Sequence, residues 1–252
     1  MNSHIFMGII RYTKWKEIKN SICRWFNRKR SPIGIVIFGE SGVGKTQFLN
    51  TILNNGIISE TRTMDIDRKT LYLPNGRRLK FYDTPGHKSL KTARDTIKRD
   101  FHKKKIMGII NIVDYGYSSV PNQERDSVFN VDSHEVKAKF LEDNRKRQLN
   151  QIAEWQDLIN AQNNVKWCLT LVNKADIWYS NREEVLGYYT DGEYADALKG
   201  MERCCNIVAF PFCSIISPFM GEPMLLTMSE KDKMLMHKDL FNEIQKLSID
   251  EE

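Results

Sequence analysis

Long hydrophobic runs are missing from this chain of 252 residues. With a mean hydropathy of −0.49, it has no stretch approaching the ~20 apolar residues a spanning helix needs. Cysteines are few: the five, at 23, 168, 204, 205 and 213, form no CxxC pair and no metal-ligand spacing. That pattern excludes a disulfide scaffold and a zinc module. No stretch reads as a cleavable signal, so a reducing, cytoplasmic setting is expected. Internal repeats and low-complexity segments are absent too, which excludes solenoids. What remains, 41% hydrophobic and 28% charged residues, is the make-up of an ordinary globular protein with one sizeable core.

The net charge of +6 is not spread over the chain. Residues 1–30 hold eight basic side chains against one acid, Glu17, for a local charge of +7, so the rest sums to −1. Trp15, Ile18, Ile22, Trp25 and Phe26 recur there at spacings of three and four, predicting a basic amphipathic helix. Such a helix suits a membrane surface, an acidic partner, or docking on the body of the protein. The linker that follows ends at Pro32.

Beyond it, apolar strand-like runs alternate with helical patterns. Strands are expected at 33–38, 70–73, 79–82, 106–113, 165–172 and 207–212, with the second and third joined at Pro74-Asn75-Gly76. Helices are expected at 45–53, 89–104, 182–204 and 230–247. A further long helix carries Leu149, Ile152, Ala153 and Ile159 on one face, with Asp132 and Glu135 as a candidate capping box. The alternation predicts an α/β fold: a three-layer sandwich whose sheet of about six mostly parallel strands has helices on both faces.

Gly39-Glu40-Ser41-Gly42-Val43-Gly44-Lys45-Thr46 sits between the first strand and the first helix and fits GxxxxGK(S/T). Glycines let backbone N–H groups wrap a phosphate, and the helix that follows points its positive end at it. Lys45 would reach the β- and γ-phosphates, and the Thr46 hydroxyl would ligate Mg²⁺. Asn173-Lys174-Ala175-Asp176 closes a later strand and fits NKxD. The Asp176 carboxylate can accept from both N1–H and N2–H₂ of guanine, a donor pair adenine lacks. Asn173 would brace the loop, and the Lys174 stem would lie along the base. Asp83-Thr84-Pro85-Gly86-His87 closes the strand RLKFY and fits DxxG.

Taken in order, GESGVGKT, DTPGH and NKAD resemble the P-loop GTPases of the class containing Ras-like small GTPases and translational GTPases, over about residues 33–216. DTPGH in particular is similar to the translational group. The resemblance implies GTP or GDP with Mg²⁺ as the bound species and hydrolysis of GTP as the activity of a molecular switch. It implies that Asp83 holds a metal-bound water, that the Gly86 N–H meets the γ-phosphate, and that His87 orients the attacking water. It also implies a switch threonine completing the metal shell, for which Thr61 fits better than Thr63; Arg62 between them reads as a solvated loop arginine. Cys213 and Ser214 match roughly the loop that meets the guanine oxygen, whereas Ile215 departs from it.

On this reading residues 31–252 form the GTPase domain, with an extension around 115–165 that is either decoration or a partner surface. A protein effector or activating partner is expected, because no clear arginine finger is present. The lysine- and arginine-rich helix after His87 suits an acidic protein, and RNA has no support beyond that charge. The rival readings are a GTP-binding scaffold with little turnover and a ribosome-associated GTPase; the extra β-barrel domains of translation factors have no counterpart in the sequence.

Overall fold

A central strand must be apolar on both faces, and Ile33–Phe38 (β1) is buried at every position. In the computed structural model, residues 31–53, 67–73, 75–84, 106–119, 123–133, 135–160, 164–202, 205–222 and 226–249 are described. The expected N-terminal helix and basic 89–104 helix lie outside those residues, as do Thr61, Arg62, Thr63, Gly86, His87 and Cys204.

Around β1 the sheet adds Asp67–Tyr72 (β2), Arg78–Asp83 (β3), Ile106–Val113 (β4), Trp167–Val172 (β5) and Asn206–Pro211 (β6). Their spatial order is β2-β3-β1-β4-β5-β6. Only β2 with β3 is antiparallel, through the tight turn at Asn75-Gly76, where the Gly76 N–H donates to the Leu73 carbonyl at 2.8 Å. The other pairings are parallel. The fold is therefore the expected α/β sandwich with a mostly parallel six-stranded sheet.

Side chains on β1 alternate between two cores. Val36 and Phe38 join Ile152, Trp155 and Ile159 of the long helix Ala138–Asn160, and Phe38 stacks on Trp155 at 4.6 Å. Ile35 and Ile37 join Phe48 and Leu49 of Lys45–Ile52 and Leu240 and Ile244 of Glu230–Ile249. Numbered in chain order, the helices are α1 (Lys45–Ile52), α2 (Arg125–Val128), α3 (Ala138–Asn160), α4 (Ala175–Trp178), α5 (Arg182–Thr190), α6 (Glu193–Leu198) and α7 (Glu230–Ile249). Gly108 of β4 lies opposite Trp167 of β5, and a Cβ there would come within 2.0 Å of the indole, so the ring occupies space that only glycine leaves.

Two local expectations fail. The capping box does not form, because α3 starts at Ala138 and the residues before it make a small hairpin. There Phe129 pairs with Val136, the Asn130 N–H donates to the Glu135 carbonyl at 2.9 Å, and Ser133 turns toward Glu135. The helix expected over 182–204 is broken at Asp191-Gly192 into α5 and α6, followed by a 3₁₀ turn at Lys199–Met201. Gly192 is extended, and in that conformation a Cβ would lie 2.9 Å from the Tyr188 carbonyl, so the break is made at a residue that needs no side chain. Cys205 is buried, directly ahead of β6. No described helix is long and apolar enough to cross a membrane.

Candidate nucleotide site at the carboxyl edge of the sheet

Parallel strands leave their functional loops at their carboxyl ends, and here the ends of β1, β3, β5 and β6 gather the predicted residues. The chain leaves β1 through Gly39 and enters α1 from Gly44, which has φ +96°. A Cβ at Gly44 would lie 2.4 Å from the Asn173 side-chain nitrogen, and one at Gly42, where φ is +85°, 2.6 Å from the Ser119 carbonyl. Both positions therefore need glycine for left-handed backbone and for close approach. Val43 between them is fully buried.

Lys45 begins α1, and its ammonium donates to the carbonyls of Gly39 and Glu40, each at 2.8 Å. The loop thus closes around its own lysine. Burial lowers the pKa to about 8, against the nearby negative charges of Asp83, Glu40 and Asp114. A buried cation with a depressed pKa is stabilised by any polyanion that enters. Next in sequence, the Thr46 hydroxyl donates to the Asp83 carboxylate at 3.0 Å across the gap between α1 and β3. Asp83 is fully buried. A hydroxyl and a carboxylate brought together beside a phosphate loop are hard oxygen donors, the set that Mg²⁺ takes.

Asn173 ties the site together. Its Nδ2 donates to the Val43 carbonyl at 2.7 Å, and its Oδ1 accepts from the Ser214 N–H at 3.3 Å and the Ser214 hydroxyl at 3.4 Å. One buried amide therefore joins the phosphate loop, the end of β5 and the loop after β6. Lys174 is left-handed at φ +60° and starts α4. Its ammonium pairs with Asp114 at 3.1 Å, donates to the Tyr117 carbonyl and lies 5.6 Å from the centre of the Phe219 ring.

Asp176 is buried in the first turn of α4. Burial raises its pKa, and hydrogen bonds from the Ser217 N–H at 3.1 Å and the Cys213 thiol at 3.5 Å oppose that rise. Cys213 is itself held from α7: His237 Nε2 donates to its carbonyl at 2.6 Å while the imidazole stacks on Phe212. The structure brings together Gly39 to Thr46, Asp83, Asn173, Lys174, Asp176, Cys213 and Ser214. It does not describe Thr61, Gly86 or His87.

Sequence reasoning missed Asp114, Ser118, Asn144 and Gln148. Asp114 is fully buried at the end of β4, and the other three are buried beside it. The available signal was positional, since Asp114 follows an apolar strand just as Asp83 and Asn173 do. Within the region 115–165, α3 fills the core with Ile152, Trp155 and Ile159 and turns Asn144 and Gln148 onto the loop after β4.

The family model described as "50S ribosome-binding GTPase" matches residues 34–174. No curated protein matches the chain. Among solved structures, the mammalian signal recognition particle receptor is similar at 14% identity and a TM-score of 0.50, over 82% of this chain and 97% of that one. The SRb-GTP/SRX complex of that receptor from Chaetomium thermophilum is similar at 12% identity and a TM-score of 0.49, over 83% of this chain and 98% of that one. At such identity the mammalian likeness speaks to the fold alone.

Proposed function

Because the chain belongs to the family described as 50S ribosome-binding GTPases, we propose that it binds GTP and GDP with Mg²⁺, hydrolyses GTP to GDP and phosphate, and acts as a nucleotide-dependent switch. The observation that supports the reading is the double grip of Asn173, which ties the glycine loop at Val43 to Ser214, next to the Cys213 thiol that donates to Asp176.

In that pocket the amides of Glu40 to Lys45 and the Lys45 ammonium bind the phosphates, and Asp176 reads the base edge, with Cys213 and Ser214 beside it. Mg²⁺, for which the Thr46 hydroxyl, Asp83 and the switch threonine Thr61 are the candidate holders, would supply neutralisation of the phosphate charge. By its resemblance to translational GTPases, His87 orients the attacking water, and in-line attack releases phosphate. Catalysis is then positioning and preorganised charge. Loss of phosphate frees the segments carrying Thr61 and Gly86, which is how such a domain switches.

Residues 1–30, with their charge of +7, are the proposed contact with a membrane surface or an acidic partner. A cytoplasmic, peripheral location and a protein that activates turnover complete the proposal. Phosphate release under single-turnover conditions tests the catalytic half. Wild type should release phosphate slowly, and His87→Ala should do so about a hundredfold more slowly with GTP affinity unchanged. Equal rates in the two proteins would remove His87 from catalysis, and no release from either would favour a scaffold that holds GTP without turning it over.

A further inference from the structure

A buried carboxylate needs a compensating cation, and the nucleotide site holds one carboxylate that the proposed chemistry does not use. Asp114, fully buried at the end of β4, accepts from the Ser118 hydroxyl at 2.9 and 2.8 Å, from Gln148 Nε2 at 2.6 Å and from the Lys174 ammonium at 3.1 Å. Gln148 comes from the middle of α3, 34 positions along the chain, and Asn144 lies one turn before it. Asn144 Nδ2 donates to the carbonyls of Gly116 at 2.5 Å and Ser118 at 3.1 Å. Two amides at i and i+4 on one helix thus clamp a six-residue loop.

That loop meets the proposed nucleotide site at two points. Its Tyr117 carbonyl takes a second hydrogen bond from Lys174, and the Ser119 carbonyl sits against Gly42 of the phosphate loop. Its shape is also held under backbone strain. Tyr115 adopts φ +53°, a region bulky residues avoid, while its N–H donates to the Tyr189 hydroxyl at 3.0 Å and the Arg145 guanidinium covers its ring at 4.7 Å.

Resting on the proposed function, we propose that Asp114 is a positioning residue for Lys174, and that Gln148 and Asn144 extend this brace into α3, so that the long helix sets the affinity for guanine nucleotides. A lysine held in place before the base arrives loses less freedom on binding than one that must be found. Removing the negative charge leaves the ammonium without its buried partner and leaves the loop without the acceptor that Ser118 and Gln148 share.

The test is a double-mutant cycle read by equilibrium titration of a fluorescent GDP, with ADP as control, on the full chain. Asp114→Asn should raise the GDP dissociation constant by about tenfold or more in the wild-type background, as expected for a hydrogen bond to a charged group. In a Lys174→Met background the same substitution should change it by less than about twofold, because its effect runs through the lysine. Gln148→Met should weaken GDP in the same direction by roughly three- to tenfold in the wild-type background and by less than about twofold in the Lys174→Met background; it carries the cycle if Asp114→Asn does not fold. Equal factors in both backgrounds, or no change in either, would overturn the brace. A wild type that holds ADP as tightly as GDP would instead overturn the base-reading assignment beneath it.

Discussion

Asp176→Asn should lower the affinity for GTP and GDP by about a hundredfold or more while creating a site that prefers xanthosine nucleotides. The carboxylate presents two acceptors, and guanine offers two donors on its edge, N1–H and N2–H₂. An asparagine presents one acceptor and one donor, so it opposes a donor to the guanine amino group and leaves it unpaired. Xanthine keeps N1–H and replaces the amino group with a carbonyl, which matches the amide. The surroundings tolerate the exchange, because Asp176 is held by two weaker contacts, the Ser217 N–H and the Cys213 thiol, and the thiol can rotate. Titrating the variant with GDP, XDP and ADP checks this. Retained preference for GDP would mean that another group reads the base.

Lys45→Met should abolish nucleotide binding, with a loss of roughly a thousandfold, since it removes the buried charge proposed to bind the phosphates and leaves the cradle with dipoles alone. The same change should not destabilise the nucleotide-free protein at neutral pH. Lys45 is buried with a folded pKa near 8, below the 10.5 of an exposed lysine. Between those values the unfolded chain binds more protons than the folded one, so this group makes stability rise with pH from about 8 to 10.5. Below pH 8 its charge in the fold is a cost. Urea midpoints at pH 7, 9 and 10 should therefore climb in wild type relative to Lys45→Met. Parallel pH profiles would show that the ammonium is better solvated than its burial implies.

Much of this site is legible in the order of residues because strand ends carry it. The apolar runs 33–38 and 106–113 match β1 and β4 to the residue, and the glycine loop follows β1 as a strand-to-helix turn must. The fold class follows from the alternation alone. Less legible are features decided by contacts distant in sequence. Glu135 has the spacing of a capping box, yet its carbonyl goes to Asn130 in a hairpin closed by the Phe129 and Val136 pairing. Gly192 divides the expected 182–204 helix, and the extended backbone it adopts brings the Tyr188 carbonyl into the space a side chain would need. Asp114 gives no motif signal. Its partners Gln148 and Lys174 are brought to it by the packing of α3 and by the parallel pairing of β4 with β5.

Asn173 links the loop proposed to hold the phosphates with the loop beside the proposed base-reading residue. A shift of the loop after β6 would pass through Ser214 and Asn173 to Val43 with no flexible segment between. His237 on α7 holds the adjoining Cys213 through its carbonyl.

The most direct measurement is competition of nucleotides for the purified wild-type protein in the presence of Mg²⁺. A labelled GTP analogue should be displaced by GTP and GDP, with ATP and ADP weaker by about a hundredfold or more. Displacement by ATP at the same concentrations as GTP would contradict the assignment of Asp176 as the group that selects the base.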